Sequence, residues 1–509
     1  MAVDLVFRKV SSPGSPPSGR MLIGQIAKYV PGSIVPAVIG VISAATFTRY
    51  LTSSEYGVYS LWFSVIGVVA AVLSQWLVQG SNRFLPAAVE SGDSVVTEKA
   101  IVTSIVLILI ISVSAAPFAI TALYIINGGA LNAVIVPAMV LSVATALYRS
   151  ISAVLQAKMM AGAYSRIYMT EVLLRYSLSL GLAVYLAANA ASLLWGAGIA
   201  ILLLLPVMWK QSGLPTVSLA DLTTEIVWTK VAELWRYGAP MIGWFVSASL
   251  LNVSDRYLLH MLRGPEDVGV YSANYNLVAG AVQLMVAPIT LATHSFLMRA
   301  WGSGDRERAG AWLSVIGRLF LYGSVILVGV MIVLAEDLVK LLLGPEFYDG
   351  YRIIPLVVGG MILWQFGMYT HKPLEFTGQT LPMFGYCGAS VVLNMLINLI
   401  LIPRYGIMGA ACTAVVSFGS YAIATAVHGR SVLSWRVLDI RDIGVLSVPI
   451  GLFLACAWIK ARFVDAIGYG PTILIMVMAA VLISGCVAGA AYYMVKPHLQ
   501  RLPRVSVVG

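Results

Sequence analysis

Charge is scarce in this chain. Asp, Glu, Lys and Arg make up 11% of its 509 residues, against roughly 25% in an ordinary soluble domain. Hydrophobic residues make up 59%, and the mean hydropathy is +0.89. One or two soluble cores could not hide so many long apolar runs, so a bilayer is the solvent. Cysteine is also sparse. Cys387, Cys412, Cys456 and Cys486 all fall within apolar segments and lack metal-ligand spacing, which excludes a disulfide scaffold and favours small buried thiols. Five histidines are scattered, and no catalytic triad, metal cluster or nucleotide-binding loop is spelled. The sequence therefore assigns no catalytic residue, no metal and no cofactor. Residues 1–20 are rich in Ser, Pro and Gly and contain no apolar run long enough for a signal peptide, so a disordered tail is expected there.

What the chain does have is apolar runs of membrane-spanning length, about 20 residues each. Fourteen are expected, from about 26–50 to about 471–494, giving an all-α polytopic membrane protein. An even number leaves both termini on one side. Lys and Arg number 21 on that side and seven on the other, and this bias puts the termini in the cytoplasm. The net charge of +10 is then a topological signal rather than a nucleic-acid footprint. The longest inner loop, 210–236, carries Leu222, Ile226, Val227, Val231, Leu234 and Trp235 at helical spacing, so an amphipathic helix lying on the membrane surface is expected. The expected divisions are the tail 1–20, a first lobe 21–209, the linker 210–236, a second lobe 237–430, and two final helices with a tail over 431–509.

One tetrapeptide occurs twice. GVYS stands at 57–60 and again at 269–272, and the same offset of 212 aligns Ser91-Gly-Asp93 with Ser303-Gly-Asp305 and Phe84-Leu85 with Phe296-Leu297. Six spans separate the copies, so the repeats are parallel. Two six-helix lobes related by an axis along the membrane normal place a substrate path at their interface, as transporters do. In this reading GVYS is either a tight turn at the outer corner, made possible by its glycine, or the plain start of a helix there.

Charges inside spans are costly and should face a cavity, an interface or one another. They are Arg149, Glu171, Arg175, Asp255, Arg256 and Arg318. With Arg83 and Arg299 at the inner ends of spans two and eight, the arginines outline a basic vestibule in the inner half, suited to phosphate oxygens. Plainer roles stand beside this one. Glu171 and Arg175 are spaced to pair within one helix, and Arg83, Arg299 and Arg318 suit snorkelling anchors. Glu171, Asp255 and His294 are the candidates for ion coupling.

The stretch Asp255-Arg256 followed by Gly269-Val-Tyr-Ser-Ala-Asn-Tyr275 resembles the polysaccharide-transporter family, which includes Wzx-type O-antigen flippases. Asn394 and Asn398, the Leu-Ile-Pro403 corner and Gly406-Ile-Met-Gly409-Ala-Ala are similar to that family's pattern, as is Leu341-Leu-Leu-Gly-Pro-Glu-Phe347. The resemblance spans about 21–495. Gly378-Gln-Thr380 departs from it, since many relatives have a lysine after that glycine. The resemblance implies the fold of the multidrug/oligosaccharidyl-lipid/polysaccharide exporter superfamily and alternating access. It also implies flipping of an undecaprenyl-diphosphate-linked oligosaccharide for O-antigen, capsule or exopolysaccharide assembly. Spans one, two, seven and eight line the cavity in that fold, which favours Arg49, Arg83, Asp255, Arg256 and Arg299 over Arg318 and adds them to Arg149 and Arg175 as diphosphate-binding candidates. Membrane lipids, a polysaccharide polymerase and chain-length proteins are the implied partners. The rivals are a multidrug exporter of the same superfamily and a membrane-bound polysaccharide polymerase or ligase.

Overall fold

The computed structural model describes residues 19–126, 132–216, 218, 224–302, 304–436, 440–467 and 469–501. Among helix residues, the side chains at 19–33, 123–124, 126, 287–296, 298–299, 440, 463–467, 469 and 495–501 are not among those described. Residues 1–18 of the expected tail and 219–223 of the expected linker lie outside the described set. Everything regular among the described residues is helical. The first six helices are α1 (Gly19–Tyr50), α2 (Ser53–Glu90), α3 (Val95–Ile126), α4 (Ile135–Ala157), α5 (Ala161–Tyr185) and α6 (Ala190–Ser212). The second set is α7 (Glu225–Arg263), α8 (Pro265–Gly302), α9 (Arg306–Leu342), α10 (Ile354–Thr370), the short α11 (Lys372–Phe376) and α12 (Thr380–Val432), with a 3₁₀ segment at Pro345–Ile353. Two further helices, α13 (Ile440–Ile467) and α14 (Tyr469–Arg501), are the last among the described residues.

Helix α12 has 53 residues. At about 1.5 Å per residue it would be far longer than the roughly 30 Å apolar layer, so it must double back. It does so at Gly406, whose φ of 54° and ψ of −131° only glycine adopts easily, just after Pro403. Counting α12 as two spans and α11 as a connector gives the fourteen expected from the sequence: two six-helix lobes and two added helices. The latter pack on α9 through Tyr322, Val333, Phe453, Met476 and Ile483, with Gly329 leaving room for the Phe453 ring. Lipid-facing surfaces are apolar: Ile110, Ile111, Val113 and Phe118 on α3 are all exposed. Many buried hydroxyls satisfy themselves on their own helices, as Thr48 does on the Ala44 carbonyl at 2.7 Å and Ser74 on that of Ala70 at 2.7 Å.

Two expectations require correction. Residues from 225 onward do not form a separate surface helix; they are the first turns of α7, and Val227, Val231 and Leu234 are buried in the core of the first lobe. Their apolar stripe meets protein rather than lipid, which periodicity cannot distinguish. Nor is GVYS a turn. Gly57 lies inside α2 and Gly269 inside α8, and neither has a positive φ. The first turns of α2 and α8 lie backbone against backbone, and a Cβ on Gly57 would overlap the Pro265 carbonyl, one on Gly269 the Ser53 carbonyl. The turns belong to SGD, where Gly92 and Gly304 take φ values of 75° and 80°.

The lobes therefore meet at the end far from the termini, and the 3₁₀ segment adds a latch. Glu346 Oε2 accepts the Ser53 N–H at 2.7 Å at the start of α2, Thr48 Oγ1 accepts the Gly344 N–H at 3.1 Å, and Arg49 donates to the Leu341 carbonyl at 2.9 Å. Towards the termini end, α2 also closes on α7. Gly238 sits against the Trp76 carbonyl, Gly80 against Leu234, and the Trp76 and Trp235 rings pack edge-on with centroids 5.2 Å apart.

Candidate substrate cavity

Between these two closures lies a cavity of about 920 Å³. Helices α1, α2, α4 and α5 of the first lobe and α7, α8 and α10 of the second line it. Among the described residues its lining includes Arg149, Arg175 and Arg256 and contains no Asp or Glu.

Arg256 bridges the lobes. It sits on α7 and is 7% exposed. Its Nη1 donates across the interface to Ser60 Oγ at 3.2 Å and Ser64 Oγ at 3.1 Å, both on α2. Nη2 reaches Asn276 Oδ1 on α8 at 3.4 Å, and the guanidinium carbon stands 5.0 Å from the centre of the Tyr275 ring. Asn276 in turn donates to Tyr56 Oη at 3.2 Å. The Nε of Arg256 is buried without a hydrogen-bond partner. Every oxygen holding this charge belongs to a neutral side chain, so an anion entering the cavity would form stronger, charge-assisted bonds.

Asp255, its neighbour in sequence, points elsewhere, as adjacent helical residues do. It is 3% exposed, accepts a hydrogen bond from Tyr271 Oη and another from the Arg256 N–H at 3.0 Å, and does not line the cavity. Arg149, on α4, makes one long contact of 3.4 Å to the Gly67 carbonyl. Such a contact lies beyond the usual hydrogen-bond range and leaves most of the fork unused. Arg175, on α5, does pair within its helix: Nε lies 3.1 Å from Glu171 Oε1. Because α5 begins at Ala161, Arg175 stands about 21 Å above its start, near mid-helix rather than in the inner half.

The remaining candidates lie apart. Arg49 is exposed at the far end and caps α9, so it does not line the cavity. Arg83 is exposed near the termini end of α2. Glu171 is spent on Arg175. Arg299 and His294 are among the residues whose side chains fall outside the described set. Arg318, disfavoured by the resemblance, is buried 3.4 Å from Asp442, which also accepts a 3.0 Å bond from Tyr322, and so ties α13 to α9.

Several lining residues escaped the sequence reading. Ser60, Ser64 and Gly67 recur at helical spacing on α2 and form the face that Arg256 meets, a small polar stripe visible only once its partner is known. Aromatic walls were missed too: Tyr59, Phe63 and Tyr176 on one side, Trp244, Phe245 and Trp364 on the other.

The fold has solved relatives. A structure described as lipid II flippase MurJ, inward closed conformation, superposes with a TM-score of 0.71 at 11% identity, covering 91% of this chain and 98% of that one. An inward-facing multidrug resistance MATE family transporter of the MOP superfamily gives a TM-score of 0.61 at 15% identity, with 83% and 99% covered. A MOP superfamily transporter from Pyrococcus furiosus gives 0.56 at 14%, with 80% and 95% covered. At these identities the likeness concerns the fold. No curated protein matches in sequence. The sequence profile of a family described as polysaccharide biosynthesis protein, however, matches residues 46–350, more than half of the chain, and the protein accordingly belongs to that family.

Proposed function

We propose that this protein flips an undecaprenyl-diphosphate-linked oligosaccharide from the cytoplasmic to the periplasmic leaflet of a bacterial inner membrane, supplying surface polysaccharide assembly. The observation that carries the reading is the convergence of Arg149, Arg175 and Arg256 on one cavity with no carboxylate in its described lining. In a member of a polysaccharide biosynthesis family, that charge suits a diphosphate. The excess of Lys and Arg in the termini-side loops supports placing that face in the cytoplasm.

A sugar head group cannot cross hydrocarbon bare, because each hydroxyl stripped of water without a partner costs a few kcal/mol. Arg149 and Arg256 would take the diphosphate, with Arg175 beside it, while the aromatic walls and Asn252 contact sugars and the polyprenyl tail stays in lipid. Phosphate oxygens would displace Ser60 and Ser64 from Arg256. That exchange removes two of the bonds tying α2 to α7 and frees the lobes to rock about the cavity. An inside-negative potential would favour outward movement of the anion by about 2.3 kcal/mol per charge per 100 mV. A basic lining works against the rival reading as an exporter of cationic drugs.

Cells lacking the protein should accumulate a lipid-linked oligosaccharide on the inner leaflet, detectable by thin-layer chromatography and mass spectrometry of extracted lipids, and the restored gene should clear it. Normal glycolipid levels together with lost efflux of a cationic dye would overturn the proposal. In reconstituted vesicles an imposed potential should speed flipping, and a rate indifferent to voltage would remove the electrical step.

A further inference from the structure

A second polar chain runs behind the cavity, away from the arginines. His371 closes α10 and is 2% exposed. Its Nδ1 lies 2.9 Å from Tyr421 Oη on α12, and its Nε2 lies 3.6 Å from Glu375 Oε2 on α11. Trp244 of α7 also reaches Tyr421, donating from Nε1 to Oη at 3.2 Å. An indole N–H only donates. The Tyr421 oxygen is thus an acceptor towards Trp244, and its own proton goes to Nδ1, its remaining hydrogen-bond partner among the described residues. The neutral imidazole then carries its proton on Nε2, facing Glu375.

One end of this chain is wet and the other is functional. The Glu375 side chain is 41% exposed and lies 2.5 Å from Lys372 Nζ. Trp244 lines the cavity, as does Trp364, whose ring lies against Tyr421 with centroids 5.4 Å apart. The charged groups facing His371 are Lys372 and Glu375 from α11; α12 contributes Tyr421, with the Cys387 thiol near it, and α7 contributes the uncharged Trp244.

We propose that His371 is a proton-binding site, reached from the termini face past Glu375, whose occupancy is transmitted to the cavity wall through Tyr421. Protonation places a hydrogen on Nδ1. Two donors then point at Tyr421 Oη, and the hydroxyl proton loses its acceptor in an apolar setting, which is costly. The tyrosine must shift, and Trp244 and Trp364 shift with it. Histidine suits this role because one proton changes both its charge and which of its ring nitrogens donate. The inference goes beyond the flippase reading and holds for any substrate the cavity takes.

The test uses the full chain in lipid nanodiscs, labelled with ¹⁵N-histidine, with H371Q identifying the His371 resonances. Wild-type protein should show an Nε2–H neutral ring that takes up a proton as the pH falls, and tryptophan fluorescence should change with the same midpoint. W244F should lose most of that fluorescence change while the ring still titrates, and Y421F should uncouple the two signals. A neutral Nδ1–H tautomer, or a ring with no titration in wild-type protein, would overturn the proposal without reliance on any variant. So would a fluorescence response that survives in H371Q.

Discussion

The two copies of GVYS carry the same letters and different work. Their glycines are equivalent: Gly57 and Gly269 each let one helix lie on the backbone of the other, and together they close the far end. Their tyrosines and serines are not. Tyr59 lines the cavity, whereas Tyr271 is fully buried and bonds Asp255. Ser60 receives Arg256, whereas Ser272 is buried with no partner for its hydroxyl. The duplication kept the contact that both lobes must make and let the chemistry diverge. Only the second lobe carries Asp-Arg before its corner, so the first lobe's serines face a charge that the second lobe's serine never meets.

The strongest way to break this comparison is to fill the shared contact. Gly57→Val and Gly269→Val should each reduce flipping in reconstituted vesicles to background, because a branched side chain cannot enter a backbone contact and the far end cannot close. The same variants should expose a cysteine introduced at Ser60 to an impermeant thiol reagent added at the far face. Equal loss at both glycines is expected, and a tolerant Gly269 would show that the closure is one-sided. Next in size is the asymmetric part. Arg256→Ala removes a fork of hydrogen bonds to a charged group, worth about 1.5–3 kcal/mol, so flipping should fall roughly 10- to 150-fold. Arg256→Lys should recover part of that loss, since it keeps the charge without the fork. Flipping unaffected by Arg256→Ala would separate the cavity from the transport path.

Fourteen helical segments and the two-lobe arrangement were legible, because apolar length and offset matches are properties of the string itself. The role of GVYS was not. A glycine serves a turn or a close approach equally well, and the difference lies in a partner helix more than 200 residues away. The amphipathic stripe at Val227, Val231 and Leu234 misled for the same reason, since protein and lipid present similar apolar surfaces. Among the charges, spacing identified the Glu171–Arg175 pair correctly. Nothing local revealed that Arg149 and Arg256 share a cavity while Arg49, similarly placed near a helix end, turns outward to cap α9. The chain from Glu375 to Trp244 was invisible because its members come from α7, α10, α11 and α12 and meet only in the fold.

Smaller effects sharpen the contrast between the copies. Tyr271→Phe leaves the buried Asp255 carboxylate short of a donor, which should destabilise the protein by about 1–3 kcal/mol, read as a lower thermal unfolding midpoint in detergent. Tyr59→Phe should leave that midpoint nearly unchanged, because its ring keeps its packing against Phe47 and Phe63. Smallest is the SGD turn. Gly92→Ala and Gly304→Ala each place a Cβ where φ is 75° or 80°, at a cost of about 1 kcal/mol. Both glycines have open space around them, so strain is the whole effect and transport should persist. The two substitutions should therefore match in midpoint, as Gly57→Val and Gly269→Val should match in activity. Sequence identity between the repeats then predicts equal consequence only where the backbone itself is the contact, and unequal consequence wherever a side chain reaches its neighbour.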